Sequence, residues 1–178
     1  YTKGGNIAFR GRSSDQTSGQ GSSFGIYVIK SIVNAGSGNI DVATLTDGTG
    51  ATSATTTGIA IAGDGGFTSS TGNISIVNAL NVASNTSGTA TGVYLERNST
   101  GTSSGNPVIS SNQGSVNITT TMTTPASQKF FIDINELNFL REKASTAQQF
   151  TLPIRDIISG SSSTYSSSAT SIATVNNS

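Results

Sequence analysis

A short unit recurs along the chain: glycine, a polar residue, then two apolar residues separated by one position. It reads Gly5-Asn6-Ile7-Ala8-Phe9, Gly38-Asn39-Ile40-Asp41-Val42 and Gly72-Asn73-Ile74-Ser75-Ile76. In a fourth copy, Gly114-Ser115-Val116-Asn117-Ile118, serine stands in place of the first asparagine. The leading glycines are 33, 34 and 42 residues apart. Self-similarity at such a period marks a repeat architecture, in which a unit buries its apolar face only against its neighbours. Gly5, Gly38, Gly72 and Gly114, with Ile7, Ile40, Ile74 and Val116 two residues on, are the structural landmarks of the chain.

A second landmark follows each of the first three: Gly25-Ile26-Tyr27-Val28, Gly58-Ile59-Ala60-Ile61 and Gly92-Val93-Tyr94-Leu95, each opening 20 residues after its leading glycine. Both landmarks alternate apolar and other residues, which predicts strands with one buried face. A third, weaker landmark is a single apolar residue (Val33, Phe67 or Ile109) five positions before the next leading glycine. Polar turn stretches such as Asn34-Ala35-Gly36-Ser37 follow it; Gly and Asn tolerate positive φ there, and Ser bonds its own backbone. One repeat thus offers three apolar contacts separated by polar corners. This is the pattern of one coil of a parallel β-helix, each strand pairing with its counterpart one repeat later. The unequal offsets, 20 and then 13 or 14, place the two strands on different faces of a coil. A β-sandwich filament subunit is the alternative fold; it leaves the equal offsets of 20 without a cause.

The predicted organisation is all-β. Residues 1–124 form about 3.5 coils of 33–34 residues, 125–158 the last coil or a cap-like segment, and 159–178 a Ser/Thr-rich linker or tail. The third interval exceeds its predecessor by eight residues, and the excess, Glu96 to Pro107, reads as a loop pushed out of the coil. In the fourth repeat the second strand shifts to Phe130–Ile134. It precedes the densest charge cluster, Asn135–Lys143, and a further candidate strand at Gln149–Ile157. A lone coil cannot offset the entropy of ordering more than thirty residues, so neighbouring coils, or identical subunits in a filament, are the expected partners.

Composition narrows the chemistry. Only 10% of residues are charged and formal net charge is zero, where a nucleic-acid binder needs a clustered basic face. With no His and no Cys, imidazole acid–base catalysis, thiolate chemistry and the usual zinc ligand sets are excluded. No apolar run approaches the ~20 residues of a spanning helix, and a chain opening on Tyr1 without a signal peptide reads as a mature or excised piece. Stacked outward positions bear on catalysis directly. Three residues after each leading glycine stand Ala8, Asp41, Ser75 and Asn117, so no carboxylate ladder forms, and the expectation is no enzyme and no cofactor. Asp47 and Asp64 lie in Asp-Gly turns and read as turn residues rather than a calcium site. Tyr27 and Tyr94, at the middle of the second strand, are the candidate ligand face, able to stack on a sugar ring if both point outward. The Asn6, Asn39, Asn73 column reads either as an internal hydrogen-bonded ladder or as corners with positive φ.

The stretches Gly38–Val42, Gly72–Ile76 and Gly92–Leu95, set in a Ser/Thr/Gly-rich background, resemble repeats of very large bacterial surface proteins, the filamentous-haemagglutinin-like adhesins and related giant repeat proteins. The resemblance covers roughly residues 5–118. It implies a right-handed β-helix, export to the cell surface or medium, and a role in adhesion or filament formation. Two other functions suit the same residues: a self-assembling filament subunit using donor-strand pairing through 1–12 or 150–157, and a β-helix binding surface carbohydrate.

Overall fold

The computed structural model describes residues 1–13, 22–47, 55–81, 89–96, 107–123, 128–135, 158–159, 163–167 and 174–177. They form strands and turns, with no helix among them. The first repeat supplies β1 (Ile7–Ser13), β2 (Ser22–Ile29) and β3 (Ile32–Asn34). The second supplies β4 (Ile40–Asp47), β5 (Thr55–Ala62) and β6 (Gly66–Ser69). The third supplies β7 (Ile74–Asn81), β8 (Thr89–Glu96) and β9 (Val108–Ser111). β10 (Val116–Thr123), β11 (Gln128–Asn135) and β12 (Ile158–Ser159) follow, then β13 (Ser163–Ser167) and β14 (Thr174–Asn177).

These strands make three sheets, ordered β1-β4-β7-β10-β13, β2-β5-β8-β11-β14 and β3-β6-β9-β12, and every pairing is parallel. Each strand therefore pairs with its counterpart one repeat on. Ile7, Ile40, Ile74 and Val116 stand in register, as do Ile26, Ile59 and Val93, and Val33, Phe67 and Ile109. The two glycine landmarks lie in different sheets, and the weak third landmark has a sheet of its own. All three columns converge on one core, in which Ile40, Ile59, Phe67, Ile74, Val93, Ile109 and Val116 are fully buried. Phe9 reaches across from the first sheet to Phe67 of the third, ring centroids 6.0 Å apart.

Three of the leading glycines, Gly38, Gly72 and Gly114, are needed for closeness, not for a turn: none of them has positive φ. A Cβ on Gly38 would fall 2.6 Å from the carbonyl carbon of Gly5, and one on Gly114 2.6 Å from that of Gly72; Gly72 meets the Gly38 carbonyl in the same way. Beside this column runs the asparagine ladder. Asn39 N–H donates to Asn6 Oδ1 at 2.9 Å, Asn73 N–H to Asn39 Oδ1 at 2.8 Å and Ser115 N–H to Asn73 Oδ1 at 2.9 Å. These asparagines form a hydrogen-bonded ladder, as one of the two readings has it, but at the exposed corner rather than inside; Lys30 alone among described non-glycine residues has positive φ.

A second polar column lies inside. Thr44, Asn78 and Thr120 are in register and buried. Thr44 donates to Asn78 Oδ1 at 2.9 Å, and Asn78 Nδ2 donates to Thr120 Oγ1 at 3.3 Å. Its room comes from the glycines opening the second landmark: a Cβ on Gly25 would lie 2.7 Å from Thr44 Cβ, and one on Gly58 2.9 Å from Asn78 Cγ.

The C-terminal region differs from expectation. The stretch 159–178, expected as linker or tail, contributes β13, β14 and the end of β12 to the three sheets. A sheet edge offers unpaired backbone groups to any extended segment, whatever its side chains. Of the expected loop Glu96–Pro107 only the ends are described, Glu96 as the last residue of β8 and Pro107 just before β9, and of the charged cluster Asn135–Lys143 only Asn135, the last residue of β11; the rest of both, with the candidate strand 149–157, lies outside the described residues.

Candidate functional site

The outer surface is where a ligand would meet this molecule, and register decides which residues share a line on it. Tyr27 and Tyr94 both pair with Ala60, one from each side. They therefore lie on one line across the second sheet, two strand spacings or about 9.6 Å apart. They do not form a matched pair. Tyr27 is 49% exposed and stacks on Phe24, centroids 5.2 Å apart and planes 18° from parallel, whereas Tyr94 is half-buried.

Tyr27 belongs instead to a patch confined to the first repeat. Phe24, Tyr27, Ile29 and Ile32 are 36–49% exposed. Their register partners in the second repeat are Thr57, Ala60, Ala62 and Gly66. The signal was present in the sequence as large apolar residues beside, rather than within, the alternating landmarks. Gly25 breaks the alternation, which is why Phe24 and Tyr27, three residues apart, share one surface.

A polar groove of about 260 Å³ runs along the corner between the third and first sheets. Asn34, Thr68 and Ser110, in register on β3, β6 and β9, line it together with Tyr1, Ser70 and Asn112. Two of these side chains are committed to the corner: Asn34 Oδ1 accepts the Gly36 N–H at 2.7 Å, and Ser70 Oγ donates to the Gly36 carbonyl at 2.8 Å. The Thr68 hydroxyl is buried without a partner among the described residues. The groove can exchange hydrogen bonds with a hydroxylated ligand. It lies on the outward neighbours of the weakest sequence landmark, the reason it escaped notice there.

Register also places the carboxylates. Ala8, Asp41, Ser75 and Asn117 form one outward column containing a single acid. Asp64 sits exposed in the turn before β6. Among the described residues no three of His, Cys, Asp and Glu gather as metal ligands would. The described residues contain no helix long and apolar enough to cross a membrane. The repeat residues Gly5, Gly38, Gly72, Gly114, Ile7, Ile40, Ile74 and Val116 all lie at the corner and inner face of the first sheet. Comparison with protein-family models, with curated proteins and with solved structures returns no match.

Proposed function

We propose that this chain is a structural, non-catalytic segment of an exported bacterial surface adhesin or extracellular filament, wound as a right-handed parallel β-helix. The observation that carries the reading is the step of pairing: in three sheets at once, each strand bonds in parallel to the strand one repeat later. A chain built this way grows in one dimension, and its length is set by repeat number. The surface such a solenoid would show is rich in hydroxyl and amide groups and poor in charge, with about a third of the residues Ser or Thr. Immunogold electron microscopy of the native cells, with antibody raised against this segment, tests the assignment. Label along surface fibres is the expected result; label confined to the cell interior would reject it.

A second reading, carbohydrate binding, draws support from the groove around Thr68 and Asn112. Oligosaccharides of the native cell's surroundings should then perturb tyrosine fluorescence, and Asn112→Ala, at an exposed position of the groove, should weaken the response. A response unchanged in that variant would remove the groove from consideration.

A further inference from the structure

The three sheets all end, on one side, at strands of the first repeat: β1, β2 and β3. Their inward residues Ile7, Phe9, Ile26, Val28 and Val33 are only partly buried, while their register partners Ile40, Val42, Ile59, Ile61 and Phe67 are covered to within 2%. Among the described residues this end is therefore a cross-section of the core, framed by three strand edges that no described strand pairs.

Gly5 and Asn6 specify what fits it. Gly38, Gly72 and Gly114 must be glycine because the carbonyl of the preceding leading glycine occupies the space of a Cβ. Among the described residues Gly5 has no such neighbour. A Cβ there would meet only Thr2, at an ordinary 3.7 Å, and its φ is not positive. Nothing in the described structure requires glycine at this position, yet the unit is complete. The corner before it is complete too: Thr2 N–H donates to the Asn34 carbonyl at 2.9 Å, repeating the bond from Ala35 N–H to the Thr68 carbonyl at 3.1 Å. The ladder continues by the same rule. A preceding asparagine Oδ1 would take the Asn6 N–H. The amide that follows it would donate to the Asn6 carbonyl, as Ile7 N–H does to Asn39 and Ile40 N–H to Asn73.

We propose that the face formed by β1, β2 and β3 is a docking surface for one more coil of the same polypeptide, opening on Gly-Asn and stacked in parallel ahead of Gly5. The proposal rests on the β-helix reading above, not on the surface location. A second copy of this chain fits less well. The strand that would meet this face, β13, opens at Ser163 in register with Val116, and the sequence just before Ser163 reads Ser-Ser where the repeat unit has Gly-Asn.

The test places a duplicate of residues 38–67 ahead of Tyr1, which keeps the glycine interval at 34, that of Gly38 to Gly72. Gly5→Ala is then made in the original and the extended chains. The extension is expected to raise the thermal midpoint by about 4 °C or more. Gly5→Ala should leave the original chain unchanged and reverse most of that gain in the extended one. An extension without effect, or an equal effect of Gly5→Ala in both chains, would overturn the proposal. So would a dimer of the original chain, seen by solution sizing and broken by Gly5→Ala, because the face would then belong to a second copy. Stabilisation by the extension alongside failed surface labelling would retain the docking face and reject only the adhesin assignment.

Discussion

At the scale of the residue, inward and outward positions differ by a single step along the strand. Ile74 is fully buried and Ser75 half-exposed. Ile74→Asp places a charge without a partner in the core and should cost about 4 kcal/mol or more. Ser75→Asp, beside Asp41, should cost about 1 kcal/mol at most. Urea denaturation followed by circular dichroism separates the two outcomes. This contrast was legible from alternation alone, but the column Thr44, Asn78, Thr120 was not. Polar residues at inward positions look like a break in the pattern until Gly25 and Gly58 are seen to clear space for them. Asn78→Leu should destabilise by about 2 kcal/mol, since it leaves the Thr44 and Thr120 hydroxyls buried and unpaired. The triple variant Thr44→Val, Asn78→Leu, Thr120→Val should recover most of that loss, because replacing all partners removes the unsatisfied groups with the bonds.

At the scale of the element, each strand is fixed by its neighbours above and below more than by its own composition. The glycine intervals and the offsets of 20 announced two strands per repeat, and Val33, Phe67 and Ile109 a third contact. Those signals succeed because a column in the structure is a period in the sequence. β13 (Ser-Thr-Tyr-Ser-Ser) and β14 (Thr-Val-Asn-Asn) gave no such signal: one large residue in each carries no alternation, and their place in the sheets is expressed through backbone pairing. The groove and the first-repeat patch were hidden for a related reason, since outward residues answer to no repeat. Where two elements touch backbone to backbone, tolerance is least. Gly72→Ala should cost about 2 kcal/mol or more by forcing the Gly38 carbonyl away, read as a lowered urea midpoint.

At the scale of the whole molecule, stability is a sum over contacts between adjacent repeats. The second and third repeats are covered on both sides and the first on one. Hydrogen exchange should accordingly be slowest for amides of β4 to β9 and faster by an order of magnitude or more in β1 to β3; equal protection throughout would contradict a stack with an open face. The parallel register has a mechanical consequence as well. Each repeat adds only one strand spacing, about 4.8 Å, along the direction of stacking, yet it holds 33 or 34 residues in the first two intervals, enough to reach roughly 110 Å when drawn out. A tether made of such repeats would be short and stiff under small loads. Under a larger one it would peel repeat by repeat, each release lengthening it more than twentyfold over the height lost, so that force is dissipated within the protein before it reaches whatever the ends are anchored to.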